Sequence, residues 1–217
     1  MKTVLCFGDS NLWGNKPGSF NPTTGLSGRF ARYQRWTGLL QQELKEYYII
    51  EEGINGRTTI FDEIFPGRPY KNGLALLPAC LDSHYPIDLI LLWLGTNDTK
   101  IQFKQSATMI AENLRQLVKV IKSSDKGSQG LPPNLLIIAP QPIINILNLH
   151  PQLDEFSIEK SKCFGKLYQQ IANEEACAFL DAGKFVTSSP IDGVHLDEEQ
   201  SKIIAEAIAT KIKELLK

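Results

Sequence analysis

The sequence predicts a doubly wound α/β protein in which helices cover both faces of a parallel sheet. Short apolar runs alternate along the chain with longer stretches of helical periodicity. This alternation is typical of parallel strands joined by right-handed helical crossovers. Residues 87–94 are apolar at nearly every position, as expected for a strand buried on both faces. The 217 residues show no internal repeat, and we expect one domain spanning residues 1–217.

The predicted elements follow each other in a regular order. Apolar runs of strand length predict about five strands, at residues 4–7, 48–52, 87–94, 135–139 and 178–180. Helical spacing predicts helices at residues 29–47, 106–122, 157–173 and 197–216. Asp197, followed by Gln200, has the position of an N-cap for the last helix. This order predicts a three-layer, flavodoxin-like domain in which ligands bind beyond the carboxyl ends of the strands.

The charge balance argues against a polyanionic partner. Lysine and arginine total 23, aspartate and glutamate total 24, and the net charge is -1. Without an excess of positive charge, the composition favours neither nucleic acid nor an anionic membrane as a partner. No apolar run approaches the roughly 20 residues of a membrane span. We therefore expect a small-molecule partner.

The four cysteines predict a reduced protein. They are scattered, without the C-x-x-C spacing or neighbouring histidines of a zinc site: Cys6, Cys80, Cys163 and Cys177. We expect free thiols and a cytoplasmic location. The N-terminal apolar stretch stops at Gly8 and is too short for a signal peptide.

A serine and an asparagine stand just past the ends of two predicted strands. Ser10 follows Gly8 and Asp9 after the first strand, and Asn97 follows Gly95 after the third. Ser10 is a candidate nucleophile, and the Asn97 amide is a candidate donor to an oxyanion. The alternatives are structural, since serine often caps a helix and asparagine often occupies a turn.

The segment after the second predicted strand brings two glycines to the same edge of the sheet. It reads Gly53-Ile-Asn-Gly56. A glycine there lets a backbone N–H approach a ligand closely and offers another oxyanion donor. The alternative is a plain turn, because Asn-Gly is a common turn dipeptide.

His195 is the candidate base for Ser10. Asp192 stands on the same predicted loop, so the loop presents a base together with a carboxylate to orient it. Asp197 competes for the orienting role but is better explained as a helix cap. Three residues are weaker candidates: Asp181 as a third carboxylate, and His84 and His150, which are expected to be structural or solvated.

These segments, in this order, resemble the four sequence blocks of the SGNH (GDSL-type) esterases and lipases. The blocks fall on residues 8–10, 53–56, 95–98 and 192–195, and residues 35–38, 51–59 and 94–100 look like the arylesterase and acyltransferase branch. The resemblance implies a nucleophile at Ser10, a base at His195 oriented by Asp192, and no metal or organic cofactor. It implies an oxyanion hole from the N–H groups of Ser10 and Gly56 and the Asn97 side chain. It also implies a homo-oligomer.

Two features depart from the family pattern. Asn11 stands where the family usually has an aliphatic residue, and residues 15–28 form a turn-rich insertion that could cover the site. Asn11 could alter the packing behind the nucleophile or add a polar contact in the pocket, and Asn11 and Trp13 are the candidate pocket residues. Residues 61–72 and 143–153 are apolar segments placed to surround Ser10, although residues 143–149 would equally suit an oligomer interface.

The sequence therefore predicts a serine ester hydrolase that acts on small acyl esters, with acyl transfer when an alcohol replaces water. A thioesterase or a carbohydrate deacetylase with the same triad is an alternative. A flavodoxin-like binding module is less favoured because no phosphate-binding glycine loop is present. A metal-dependent phosphatase or nuclease using Asp9, Asn97 and His195 is less favoured because metal sites need more clustered ligands.

Overall fold

Five parallel strands form one sheet, and their carboxyl ends share one edge. The structure, a computed structural model, describes residues 1–63, 70–144 and 150–217. The strands are β1 (Lys2–Gly8), β2 (Tyr47–Gly53), β3 (Leu89–Trp93), β4 (Asn134–Ala139) and β5 (Ala178–Asp181). Their order is β2-β1-β3-β4-β5, and neighbouring strands are parallel throughout. The predicted parallel sheet is confirmed.

Helices cover both faces of this sheet. They are α1 (Ser10–Trp13), α2 (Trp36–Glu43), α3 (Gly73–His84), α4 (Ala107–Lys122), α5 (Glu155–Lys162), α6 (Phe164–Glu174) and α7 (Glu198–Leu215). Helices α2 and α7 share a core with one face of the sheet, and α3, α4 and α6 share a core with the other. The result is the predicted three-layer α/β/α arrangement.

Alternate residues of each strand enter the two cores. In β1, Val4 and Cys6 belong to the core with α2 and α7, whereas Leu5 and Phe7 belong to the opposite core. All four side chains are fully buried. Each buried side chain of this kind contributes roughly 1.5–3 kcal/mol. The sheet is therefore a rigid base for the loops at its carboxyl edge.

The helix predicted at residues 29–47 is shorter than the periodicity indicated. A 3₁₀ turn at Arg32–Gln34 precedes α2, and Arg35 between them is extended, with φ -79° and ψ 146°. The Phe30 N–H donates to the Gly14 carbonyl at 2.8 Å. Pairing with the segment after α1 thus removes the first residues of the amphipathic stretch from the helix, and β2 takes the last one.

Two other helices differ from the prediction. Helix α3 was missed because it contains Pro78, a residue that normally interrupts a helix. The stretch at residues 157–173 is two helices, α5 and α6, that meet at Cys163. Helix α5 begins earlier than predicted because Asp154 caps it, accepting a hydrogen bond from the Ser157 N–H at 2.8 Å.

The sheet has its topological switch between β1 and β3. The chain passes from β1 to β2 on one side and then returns to β3 on the other, which is where doubly wound sheets bind ligands. Ser10 follows β1 and Asn97 follows β3, so both lie at this switch. At the end of β2, Gly53 allows α1 to approach closely, because a Cβ there would lie 2.5 Å from the Trp13 backbone nitrogen. Among the helices of the described residues, none has the length and apolar character that a membrane crossing requires.

Candidate active site

Three side chains from opposite ends of the chain form one hydrogen-bonded series. Ser10 Oγ lies 3.0 Å from His195 Nε2, and His195 Nδ1 lies 2.7 Å from Asp192 Oδ2. Ser10 begins α1, and the other two residues lie in the loop between β5 and α7. With the Nδ1 proton directed at the carboxylate, Nε2 can accept the serine proton, as general-base activation requires. The structure thus brings together the three residues predicted to form the triad.

Asp192 is held as a carboxylate. Its side chain is 6% exposed, and its oxygens accept hydrogen bonds from the N–H groups of Gly18, Val194 and His195 at 3.0, 3.1 and 3.0 Å. Burial raises the pKa of Asp192, but the hydrogen bonds and charge of His195, together with the backbone N–H groups, outweigh it. Its pKa therefore lies well below the ordinary aspartate value, and Asp192 stays ionised beside His195 Nδ1.

A one-turn helix places Ser10. Asp9 is the N-cap of α1, and its Oδ1 accepts a hydrogen bond from the Asn11 N–H at 3.0 Å. The alternative that Ser10 itself caps this helix is therefore wrong. Asp9 is 2% exposed, and burial raises its pKa to about 6. Its side chain caps α1, and the Ser10 hydroxyl lies against His195.

The donors predicted for an oxyanion follow β1, β2 and β3. Among the described residues, none accepts a hydrogen bond from the backbone N–H of Ser10 or of Gly56. Gly56 has a φ of 78°, which favours glycine. The Asn97 side chain donates one N–H to the Arg57 carbonyl at 3.1 Å. This bond ties the loop after β3 to the loop after β2, and no other described residue accepts a hydrogen bond from the Asn97 amide.

Buried ionisable side chains, those of Asp98 and Arg57, connect the loops that follow the strands. Asp98 is fully buried and accepts hydrogen bonds from the Thr59 N–H, at 3.0 Å, and from the Thr59 hydroxyl. Burial raises the pKa of Asp98 to about 7 despite these bonds. The Arg57 guanidinium lies 4.0 Å from the Phe7 ring centroid and donates to the Gly8 carbonyl at 3.1 Å. Burial lowers the pKa of Arg57 to about 10.

The insertion at residues 15–28 contacts the base and its carboxylate. Asn15, which is 5% exposed, places its Nδ2 3.2 Å from His195 Nδ1, and the Gly18 N–H donates to Asp192. Two antiparallel bridges shape the insertion: Asn15 with Arg29, and Asn21 with Leu26. The turn-forming residues predicted a loop that could cover the site, but nothing in the sequence identified Asp192 and His195 as its partners.

Asn11 lies behind the nucleophile. It is 5% exposed, its Oδ1 accepts from the Leu196 N–H at 2.9 Å, and its Nδ2 donates to the Val194 carbonyl at 3.4 Å. Both ends of the amide brace the loop that carries the candidate base, so these contacts give the pocket assignment of Asn11 no support. Trp13 is partly exposed, with the Arg29 guanidinium 4.9 Å from its ring centroid. Its pocket role stays a prediction.

The competing carboxylates and His84 have partners elsewhere. Asp197 caps α7 by accepting a hydrogen bond from the Gln200 N–H at 2.9 Å, which confirms the predicted cap. Asp181 accepts a hydrogen bond from the Gly183 N–H at 3.1 Å. His84 lies 2.8 Å from Glu52 Oε1.

His150 is closer to the site than the sequence indicated. Its Nε2 lies 3.1 Å from the Asp192 carbonyl oxygen, and its ring centroid lies 6.4 Å from that of His195. Burial, followed by the charge of His195, lowers the pKa of His150. A neutral His150 suits this position because it adds no positive charge beside the candidate base. No spacing pattern in the sequence connects His150 with residues 192–195.

The remaining predictions concern metals, thiols and loops. Within the part of the chain that the structure describes, no three His, Cys, Asp or Glu side chains are grouped so that they could hold a metal ion. The four cysteines are free. In the apolar segment at 61–72, Phe61 stacks on Phe103 with ring centroids 4.8 Å apart. Residues 64–69 of that segment, and residues 145–149 of the segment at 143–153, lie outside the described residues.

A serine at the switch point of a doubly wound sheet, with a histidine at hydrogen-bond distance, is characteristic of hydrolases that use an activated serine. The chain belongs to the GDSL-like lipase/acylhydrolase family, whose profile matches residues 6–202. The resemblance seen in the sequence is thus confirmed at the level of the family, as is the prediction of a GDSL-type hydrolase.

Solved structures of similar proteins cover the whole chain. A carbohydrate acetylesterase from Sinorhizobium meliloti is 35% identical, with a TM-score of 0.89 and coverage of 100% of both chains. An aryl esterase from M. smegmatis is 34% identical, with a TM-score of 0.90 and the same coverage. Among curated proteins, an acetylxylan esterase from Xylanibacter ruminicola is 26% identical over 185 residues, or 77% of this chain. The matches to curated relatives span only 36% and 40% of those proteins' own lengths.

Proposed function

We propose that this protein is a serine ester hydrolase that acts on small acyl esters through an acyl-enzyme on Ser10. The observation that carries the proposal is the series Ser10–His195–Asp192, with separations of 3.0 and 2.7 Å. A hydroxyl is a weak nucleophile unless a base is within hydrogen-bond reach, and an ionised carboxylate makes the imidazole a better base. The low pKa of Asp192 supports this role.

The proposed reaction has two halves. Ser10 Oγ attacks the ester carbonyl while His195 Nε2 takes its proton, and the N–H groups of Ser10 and Gly56 and the Asn97 side chain stabilise the oxyanion. His195 then protonates the leaving alkoxide, and the acyl group stays on Ser10. Water, activated by His195, releases the acid in the second half. An alcohol that replaces water would receive the acyl group, which makes the enzyme an acyltransferase as well.

Acetyl esters are the substrates that the similar proteins support best. The solved neighbours are named for carbohydrate acetyl esters and for aryl esters, and a curated relative for acetylxylan. We therefore propose a preference for short acyl groups on an aryl or carbohydrate alcohol. Initial rates on a series of 4-nitrophenyl esters from acetate upward, beside acetylated sugars and an acetyl thioester, test this preference. Faster cleavage of long acyl chains would contradict it, and preferred cleavage of the thioester would favour a thioesterase.

Ser10→Ala is the direct test of the mechanism. We expect turnover of 4-nitrophenyl acetate to fall by several orders of magnitude, because removing a triad member typically leaves only the contribution of binding and the oxyanion hole. Mass spectrometry of the wild type, quenched during turnover, should find the acyl group on the peptide that contains Ser10. Wild-type turnover in Ser10→Ala, or an acyl group on another residue, would overturn the proposal.

The predictions on assembly and location are part of this proposal. We propose that residues 1–217 form one domain and that the protein is a cytoplasmic homo-oligomer. The four free cysteines support a reducing compartment. Large exposed apolar side chains, among them Phe156 and Ile191 at 73% and 60%, are available to an interface between subunits. Light scattering coupled to size-exclusion chromatography tests the oligomer, and a monomeric mass would contradict it.

A further inference from the structure

A buried lysine holds the peptide bond that offers one of the candidate oxyanion donors. Lys71 is 9% exposed, and its ammonium donates a hydrogen bond to the Asn55 carbonyl at 2.5 Å. This carbonyl and the Gly56 N–H belong to the same peptide unit. A hydrogen bond at the carbonyl end of this peptide therefore acts directly on the Gly56 N–H at its other end.

The peptide between Asn55 and Gly56 is the central peptide of a tight turn. The Arg57 N–H donates to the Ile54 carbonyl at 3.1 Å, and Gly56 in the third position has a φ of 78°. This is the pattern of a type II turn. Glycine also accepts the φ of a type I turn, in which the central peptide is rotated and its N–H points the other way. A contact that holds the Asn55 carbonyl therefore selects one orientation of the Gly56 N–H.

The charge of the lysine adds to this positional effect. The C=O and N–H of a trans peptide point in opposite directions and are coupled by resonance. A cationic donor at the carbonyl draws electron density from the nitrogen, which makes the N–H a stronger donor. The polarised N–H interacts most strongly with the negative charge that develops on the substrate oxygen in the transition state.

Lys71 is fixed in place by its own backbone. Its carbonyl accepts hydrogen bonds from the Thr58 N–H at 2.9 Å and from the Thr58 hydroxyl at 3.3 Å. These bonds do not involve the lysine side chain, so we expect a substitution at this position to leave the backbone contact with the loop after β2, which carries Gly56, intact. The backbone of Lys71 is thus fixed beside this loop independently of the hydrogen bond that its ammonium makes to the Asn55 carbonyl.

We propose that Lys71 is a positioning residue for the oxyanion hole, which fixes and polarises the Asn55–Gly56 peptide so that the Gly56 N–H meets the developing oxyanion. The proposal rests on the proposed serine esterase mechanism. It gives a role in the reaction to a residue that no sequence block contains. Lys71 acts through the peptide and does not itself touch the substrate.

Three variants separate this role from a structural one. Lys71→Met removes the charge and the donor at similar length, and we expect kcat for 4-nitrophenyl acetate to fall about tenfold with KM nearly unchanged. Lys71→Arg keeps a cationic donor and should retain most of the activity. Lys160→Met is the matched control, because the Lys160 ammonium also donates to a backbone carbonyl, that of Thr99 at 3.3 Å, outside the proposed hole. It should keep the wild-type kcat.

Inhibitor binding supplies a readout that a packing defect would not give. An aryl trifluoromethyl ketone adds to Ser10 and places a negative oxygen in the hole, whereas the matching methyl ketone does not. Lys71→Met should weaken the first inhibitor by the factor lost in kcat and leave the second unchanged. If Lys71→Met fails to fold, Lys71→Gln, which keeps a neutral donor, should show a smaller loss of the same kind.

The outcomes distinguish the two proposals. Three results in folded Lys71→Met would overturn the role of Lys71 and leave the esterase mechanism standing: an unchanged kcat, a rise in KM with kcat unchanged, or equal weakening of both ketones. Absence of Ser10-dependent turnover in the wild type would overturn both.

Discussion

Asp192→Asn replaces one oxygen of the carboxylate that orients the candidate base. Every described hydrogen bond to this side chain comes from an N–H donor: the His195 ring and the backbone of Gly18, Val194 and His195. An asparagine must direct its NH2 group at one pair of these donors, whichever way the amide is turned. Turned toward Val194, it repels two backbone N–H groups and displaces the loop. Turned toward the ring, it opposes the Nδ1 proton.

The second orientation removes the base. The clash is relieved when the His195 proton moves to Nε2, and Ser10 then faces a donor where it needs an acceptor. A charge-assisted hydrogen bond contributes roughly 1.5–3 kcal/mol, and the wrong tautomer adds a further loss. We therefore expect kcat to fall by about 10³ to 10⁴, which corresponds to about 4–5.5 kcal/mol in the activation free energy.

The assay is the initial rate with saturating 4-nitrophenyl acetate, alongside thermal unfolding of each variant. Asp197→Asn is the matched control, because it makes the same substitution on the next helix cap, where asparagine serves as well as aspartate. Its kcat should stay within about twofold of the wild type. Equal losses in the two variants, or a kcat for Asp192→Asn above a tenth of the wild type, would refute the orienting role of Asp192.

Two further predictions concern the framework under the site. Asn97→Ala should lower kcat for the same ester by about 10² to 10³ with little change in KM. A raised KM with an unchanged kcat would contradict the role of Asn97 as an oxyanion donor. Asp98 has a folded-state pKa of about 7, above its unfolded value, so its contribution to stability is present below about pH 4 and is lost as the pH rises toward 7. Asp98→Asn lacks this dependence, so denaturant unfolding should show the variant gaining stability relative to the wild type between pH 4 and 7. A difference that does not vary with pH would show that burial does not perturb Asp98.

Hydrophobic pattern and chain order predicted the sheet and the edge at which the site lies. The apolar runs that became β1 and β3 bury every residue from Val4 to Phe7 and from Leu89 to Trp93, so the pattern reports the packing directly. Ser10 and Asn97 follow these strands, and the parallel topology then brings them to one edge. Asp192 and His195 were predicted for a different reason: their short spacing lets one loop supply both groups.

The residues that sequence reasoning missed act through backbone groups that are distant in the chain. Lys71 binds the Asn55 carbonyl. Asn11 was singled out in the sequence, but its partners, backbone groups of residues 194 and 196, were not. Any peptide unit offers the same carbonyl and N–H, so the identity of the partner leaves no mark on the sequence. The insertion contact from Gly18 to Asp192 has the same character. Helix α3 was missed for a local reason, since its proline outweighed its apolar content.

The buried charges mark the carboxyl edge as a place where the chain departs from the rules that stabilise its core. Asp9 and Asp98 have raised pKa values, Arg57 has a lowered one, and Lys71 is 9% exposed, so each is kept from water at a cost in free energy. Apolar residues there would fold at least as well. A carboxylate disfavours a nearby oxyanion, so of these four groups only the cations Arg57 and Lys71 would stabilise one, and hydrogen bonds to the Gly8 and Asn55 carbonyls already hold both in place. The cost of burying these groups therefore falls beside the candidate active site, and the two apolar cores offset it.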